Sequence, residues 1–546
     1  MGANIFHQIL LPVSGATLPS FLVGMIPILV VLVLLGIVKA PAWISALIGL
    51  VIGFIIAVTV WKIPGHLAFS AIGNGMVFAL WPVMWIVFAA MWLYNLSQRT
   101  GAFDQFRRWM YHYATSDRRI QVLMIAFSFG ALMEGIAGFG TPVAIASALL
   151  VGLGFPVLDA VVYTLIFDTA PVAFGALGVP IVTLGAVTNL HVGALSAMVG
   201  RQLPIFALIL PFYVLLVMGG WKALRGAWPA ALVSGLSYSI TQFLVANFLG
   251  PALPDVLASL VSLICLVLFT RVWEPKDSAD YQSYVHDRRH NIRNANRKDA
   301  NDMAGSWRGW VPWLTVTVVV IIWTFAKVAS LAQQDVKWPG LNKLVYLTLY
   351  HKPYAAVWSF QPLGTGTAIL VAVILSALFL KAGWKNFWLA AADSWRQLLF
   401  PIITVMCIVG LAYLYNYSGM AYTLGIAVAA LGAAFPFFSG FLGWIACFLS
   451  GSDTSSNALF GNLQVVAANK LNLNPYLMAA TNSSGAVMSK MISPQNVTTG
   501  VSTGELRGKE GLVIRKTFIH SIILTAILGV LVVLQAHGWS FMVPKG

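Results

Sequence analysis

The sequence predicts an all-α polytopic membrane protein, built as two inverted repeats with reentrant or broken-helix hairpins and roughly 12–14 membrane elements. Three observations predict it. The 546 residues are 59% hydrophobic and only 9% charged, with a mean hydropathy of +0.83; a water-soluble domain is about 25% charged and 45–50% apolar. Apolar runs recur along the chain at lengths approaching the roughly 20 residues that span a bilayer as a helix. Two further regions, 121–190 and 422–500, are long and apolar but interrupted by Gly, Pro, Ser, Thr, Asn and Asp. The composition excludes disordered, fibrous and nucleic-acid-coating classes. A β-barrel would alternate along strands of about ten residues, and these runs do not.

In chain order the uninterrupted runs are Phe21–Val38, Trp43–Val60, Met76–Leu96, Leu203–Gly219, Ala230–Phe248, Val256–Leu268, Val311–Phe325, Thr367–Leu380, Leu398–Leu414 and Phe518–Leu534. Between them lie most of the cations behind the net charge of +15. They cluster in 98–119, in the turn WKALR (221–225), in 271–308, in the turn LKAGWK (380–385) and in 507–516. Placing all five clusters on the cytoplasmic side satisfies the positive-inside rule. Both termini and the 328–358 loop then fall outside. The 271–308 stretch is the one long hydrophilic linker, dividing a first half (1–270, reentrant region 121–190) from a second (309–546, reentrant region 440–500); within it 274–307 has cations and acids nearly in balance and reads as a solvated loop. Cys265, Cys407 and Cys447 all sit inside apolar runs without a CxxC pair, which argues against disulfides and thiolate metal sites. The N-terminus lacks a basic n-region and does not read as a cleaved signal peptide.

The halves resemble one another. WPVMWIVFAAMWLYNLS (81–97) and FPIITVMCIVGLAYLYNYS (400–418) share an aromatic-Pro pair, an apolar helix and Leu-Tyr-Asn-x-Ser. Each is followed by a small-residue break, EGIAGFGTP (134–142) or SGSDTSSNALFG (450–461). A proline follows, Pro156 or Pro475, and then a second break, DTAPVAFGALGVP (168–180) or TNSSGAVMSKMISPQN (481–496). The positive clusters give the two copies opposite sidedness. Inverted repeats with broken helices are the sequence signature of secondary transporters that bind substrate near the midplane.

Broken backbone at membrane depth is tolerated where it lines a cavity or is buried in protein. Each half-helix N-terminus offers free N–H groups and partial positive charge to a small anion. The candidate binding groups are Gly138, Gly140 and Thr141 at the first tip, Ser452, Thr454, Ser455, Ser456 and Asn457 at the second, and Asn482, Ser483, Lys490, Gln495 and Asn496 in the last break. Lys490 suits a substrate carboxylate or a neighbouring acid; Asn482, Ser483, Gln495 and Asn496 suit a hydroxyl. Ionisable groups in apolar segments are functional candidates by default. Glu134 and Asp168 are open to two roles, proton carrier or acceptor of backbone N–H bonds at a helix start. Asp453 is a third candidate for the proton and also suits the cap of a half-helix. Asp159 reads as a surface helix start, and His191 and Arg201 show no metal-ligand spacing. Trp81, Trp85, Trp92 and Tyr94 read as packing or an interfacial belt. There is no Walker A, GxGxxG, HExxH or GxSxG motif, so no nucleotide, cofactor or catalytic site is expected.

The pieces EGIAGFGTPVAIASALLVGLGF (134–155), DTAPVAFGALGVPI (168–181), GRQLP (200–204), FLGWIACFLSGSDTSSNALFGNLQ (441–464) and KMISPQN (490–496) resemble the L-lactate permease family. The resemblance runs from about residue 20 to the C-terminus; GSDTSSNALF with KMISPQ is its most specific part. It implies a non-enzymatic inner-membrane carrier that imports L-lactate, and often D-lactate and glycolate, with protons. It also implies kinship with elevator-type transporters. The same hairpins leave an anion channel and sodium coupling as alternatives, and oligomeric state is not readable.

Overall fold

Apolar runs of this length have no water to satisfy their backbone in hydrocarbon, so each closes its hydrogen bonds internally as a helix. The computed structural model describes residues 5–113, 115–138, 141–282, 307–501 and 509–544. Among the described residues nine helices are long and apolar enough to cross a bilayer, or ten if the bent pair Val157–Phe167 and Val172–Thr188 forms one span. Three shorter apolar helices, Pro142–Gly152, Pro254–Phe269 and Thr365–Phe379, pack among them.

Burial separates an interior from a lipid-facing shell. The segment Arg118–Ile136 is wholly buried, whereas Thr17–Gly36 and Ala42–Thr59 are only 33% buried. Leu18, Leu22, Leu29 and Val33 on the first of these, and Val51 and Ile55 on the second, are exposed. A soluble protein would hide such a surface; here lipid tails are its solvent. The aromatic stripe is packing, as its spacing suggests: Trp81 stacks on Trp85, Trp85 donates to Thr367, and Trp92 donates to the Phe387 carbonyl.

Several predicted boundaries shift. Leu203–Phe248 is continuous except at Gly219 and Gly220, whose backbone leaves the helix. The turn is therefore this glycine pair, and WKALR, read as a turn from its cations, already belongs to the next helix. The run before Ser418 extends back to Gly383, giving a 36-residue helix that contains Pro401. In the 328–358 loop, Gln334–Lys337 pairs antiparallel with Val357–Phe360, and Val345–Leu347 pairs with Lys352–Pro353 and, in parallel, with Phe6–His7. The N-terminal segment thus lies beside that loop.

The start of the linker is anchored, where its near-balanced charge suggests a solvated loop. Arg119, fully buried, forms ion pairs with Asp117 (2.7 Å) and Asp277 (2.8 Å), donates to the Ala223 carbonyl and lies 3.8 Å over the Tyr281 ring. Burying a guanidinium is tolerable because carboxylates, a carbonyl and an aromatic face surround it. The rest of the linker, 283–306, lies outside the described residues.

Small residues let interior helices touch. Helices Phe435–Ser450 and Pro475–Ser489 approach so closely that a Cβ on Gly485 would collide with the Gly440 carbonyl, and one on Gly443 with the Asn482 carbonyl.

Candidate functional site

Four interruptions of helix converge. In the first half, helix Gly130–Ile136 stops and Gly138 turns the chain at φ +54° ahead of helix Thr141–Gly152. In the second, helix Phe435–Ser450 ends at Gly451, φ +70°, before helix Asp453–Lys470. Both are left-handed turns, which cost a residue with a Cβ roughly 1–2 kcal/mol. The third interruption follows Val157–Phe167. Asp168 closes that helix, Ala176, Leu177 and Gly178 take positive φ, and a helix resumes to Thr188 after a bend of 66°. The fourth is the turn Lys490–Ile492 between helices Pro475–Ser489 and Pro494–Val501. It is shorter than the predicted break 481–496, since Thr481–Ser489 is regular helix.

These interruptions enclose a small cavity of about 50 Å³ lined by Glu134, Gly138, Gly451, Ser452, Asp453, Thr454, Lys490 and Gln495, with apolar walls from Val172 and Val179. Lys490 is the hub. Its Nζ lies 2.7 Å from Glu134 Oε1 and 3.2 Å from Asp168 Oδ2. The three groups are 4%, 3% and 5% exposed as residues, respectively. Asp453 accepts a hydrogen bond from Ser483 Oγ at 2.6 Å, while its Oδ1 meets no donor at hydrogen-bonding geometry. Glu134 Oε2 is likewise unpartnered.

Not every predicted residue faces the cavity. Ser452, rather than Asp453, caps helix Asp453–Lys470: its Oγ accepts from the Ser455 N–H at 3.2 Å. Ser456 donates to the Gly443 carbonyl and Asn457 to the Pro180 carbonyl. Asn482 donates to Asn457 Oδ1 and accepts from Gln464. Asn496 donates to the carbonyls of Gly451 and Lys490. These four, with Ser483, tie the interruptions together and are not among the cavity-lining residues. Thr141 opens its helix; Gly140 lies outside the described residues. Among the described residues, no group of three His, Cys, Asp or Glu side chains could hold a metal ion.

One buried acid escapes the sequence reading. Asp255, 1% exposed in the first turn of helix Pro254–Phe269, accepts from Tyr238 (3.2 Å) and Gln242 (3.3 Å). An acid at the head of an apolar run was the available signal.

A protein-family model described as L-lactate permease matches residues 20–538. The chain is 40% identical to the glycolate permease GlcA of Escherichia coli (strain K12), covering 98% of this chain and 99% of that protein. It is 39% identical to the L-lactate permease of Bacillus subtilis (strain 168), again over 98% and 99%. Among solved structures it is similar to the Alcanivorax borkumensis YdaH transporter, at 14% identity and a TM-score of 0.45, covering 87% of this chain and 89% of that one. With its many apolar helices, its broken spans and a family match over nearly its whole length, this multi-pass membrane chain belongs to the L-lactate permease family.

Proposed function

We propose that the protein imports L-lactate, and with it D-lactate and glycolate, across the bacterial inner membrane by proton symport. The charge balance of the cavity carries the reading. Glu134 and Asp453 line the cavity and Asp168 is joined to it through Lys490, so three carboxyl groups stand against the ammonium of Lys490. With all ionised, the site holds two negative charges before any substrate arrives, and a third with a bound carboxylate. Uncompensated charge in hydrocarbon is prohibitive. A small organic acid is therefore accommodated only with protons on the acids, which makes co-transport a condition of binding.

The substrate carboxylate lies at the N-terminus Ser452–Thr454 and near Lys490, where backbone N–H groups and the helix dipole favour an anion. Gln495 and the free Oδ1 of Asp453 serve the 2-hydroxyl. Glu134 or Asp168 takes the coupled proton, its hold on Lys490 relaxing as it does so. The two halves act as inverted repeats that carry the site between the membrane faces. The names of the relatives, glycolate permease and L-lactate permease, support this substrate class.

The test is uptake of labelled L-lactate into proteoliposomes under an imposed pH gradient, after subtracting leakage into protein-free liposomes. Uptake should follow the gradient, and Glu134→Gln should uncouple or abolish it. Uptake indifferent to the gradient refutes the coupling; an unchanged pH response in Glu134→Gln moves the proton to Asp168.

A further inference from the structure

Behind the cavity lies a fourth buried carboxyl group, with no ion-pair partner among the described residues. Asp255 Oδ1 accepts from Tyr238 Oη and from Gln242 Nε2, both fully buried, while Oδ2 meets no donor. Neutral donors hold one oxygen only. Glu134 and its neighbour tie this group to the transport site. A Cβ placed on Gly135 would lie 2.9 Å from Asp255 Cβ and 3.2 Å from the Val256 nitrogen, so the backbone beside Glu134 runs directly against the start of helix Pro254–Phe269. Gln242 supplies the second tie, since its Nε2 also donates to the Ala170 carbonyl, two residues past Asp168.

We propose that Asp255, with Tyr238 and Gln242, is a second station for the coupled proton, exchanging it with Glu134. The inference rests on the proton-symport reading and deepens it. A lone carboxylate buried without a counter-ion is strongly disfavoured, and a proton on Oδ2 removes the charge. When that proton passes to Glu134, the Asp255 carboxylate is a transient state, held by the Tyr238 hydroxyl and the Gln242 amide until a further proton reaches it. Glu134 becomes a neutral acid and releases Lys490 toward the substrate or Asp168. One proton moves and no atom is gained or lost. The charged and titratable groups around Asp255 are Tyr238 on helix Leu203–Phe248, Glu134 on helix Gly130–Ile136, Asp168 at the end of Val157–Phe167, and Lys490 beyond them. Two of these are acids, so the stations favour sharing protons over carrying a full charge each.

A purely structural Asp255 would act as a helix-start acceptor. Asn keeps that capacity and both hydrogen bonds to Oδ1 but cannot carry the proton. The discriminating experiment uses the full chain in proteoliposomes and two readouts, lactate exchange at equal pH on both sides and accumulation driven by a pH gradient. With one proton per lactate, a gradient of one pH unit drives about tenfold accumulation in the wild type. Asp255→Asn should keep exchange within about twofold of wild type while accumulation falls toward none. Asp255→Glu should regain part of it. Accumulation at the wild-type level in Asp255→Asn overturns the proposal, and so does parallel loss of exchange and accumulation with no recovery in Asp255→Glu. A wild type that exchanges lactate but ignores the gradient sinks the symport reading instead.

Discussion

Replacing Lys490 with methionine removes the ammonium that bridges Glu134 and Asp168, at 2.7 and 3.2 Å, and leaves two carboxyl groups facing each other in a dry interior. Deleting one partner of a buried ion pair costs about 3–5 kcal/mol, largely because the other charge stays buried alone. Unfolding entropy near 2.1 cal/mol/K per residue gives about 1.1 kcal/mol/K for 546 residues. The melting temperature of Lys490→Met should therefore fall by about 3–4 °C. The triple variant Lys490→Met/Glu134→Gln/Asp168→Asn removes the stranded charges as well and should recover most of that loss, while remaining inactive in lactate uptake. The assay is thermal unfolding of the purified protein in one detergent at one pH, with the single and triple variants closing a cycle. Additive effects, with a coupling energy under about 0.5 kcal/mol, would show that the three groups do not act as one network and would refute the reasoning.

Further outcomes follow from other features. Gly451→Ala forces a Cβ into a left-handed turn and to within 2.7 Å of Gln495 Oε1, so it should cost about 1–2 kcal/mol and reduce lactate uptake much more than expression; wild-type uptake would show that the tip tolerates rearrangement. Gly485→Val drives a side chain into the Gly440 carbonyl and should abolish folded protein, read as loss of a monodisperse peak in size-exclusion chromatography. Asp277, outside the spans, is held below its ordinary carboxylate range chiefly by its hydrogen bonds with Arg119. A carboxylate with a depressed folded value contributes stability above its unfolded value and loses it as pH falls through the folded one. Asp277→Asn should therefore be less stable than wild type near neutrality; the gap should begin to close as pH falls below about 4 and vanish only below the depressed folded value. A stability difference independent of pH would disprove the ion-pair role.

Much of this was visible in residue types alone. Glu134, Asp168 and Lys490 stand out because charge in apolar sequence is expensive, so each can be singled out without coordinates. Their meeting cannot be, because Lys490 and Glu134 are 356 residues apart and only the packed interruptions bring them together. The run SGSDTSSN marks the helix break at Gly451, but not which way each side chain turns. Ser456 and Asn457 direct their donors to neighbouring carbonyls, whereas Asp453 and Thr454 line the cavity. Thr481–Ser489 reads as a break from its polarity, yet it is helix, because its side chains find partners: Thr481 accepts from Gln202, Ser484 donates to Gln202, and Ser483 donates to Asp453. Asp255 passes for a surface helix start because it follows Pro254, and only burial distinguishes it. Arg119 resembles its neighbouring topology cations until Asp277 and Tyr281, from a distant stretch, close over it.

The helix Gly383–Ser418 has a mechanical consequence. Its 36 residues measure about 54 Å at 1.5 Å per residue, against a hydrocarbon slab of about 30 Å. Trp384, Trp388 and Trp395 are exposed along its first half, a composition suited to headgroups. At its other end Asn416 donates to the Val187 carbonyl and accepts from Asn462, the first on the second arm of the bent pair and the second on the helix that Ser452 caps. This strut, with Pro401 in its interior, thus joins the exposed tryptophan end to both walls of the cavity. Thinner or thicker bilayers change how far that strut must lean, so lactate uptake should vary with acyl-chain length in proteoliposomes of matched headgroup.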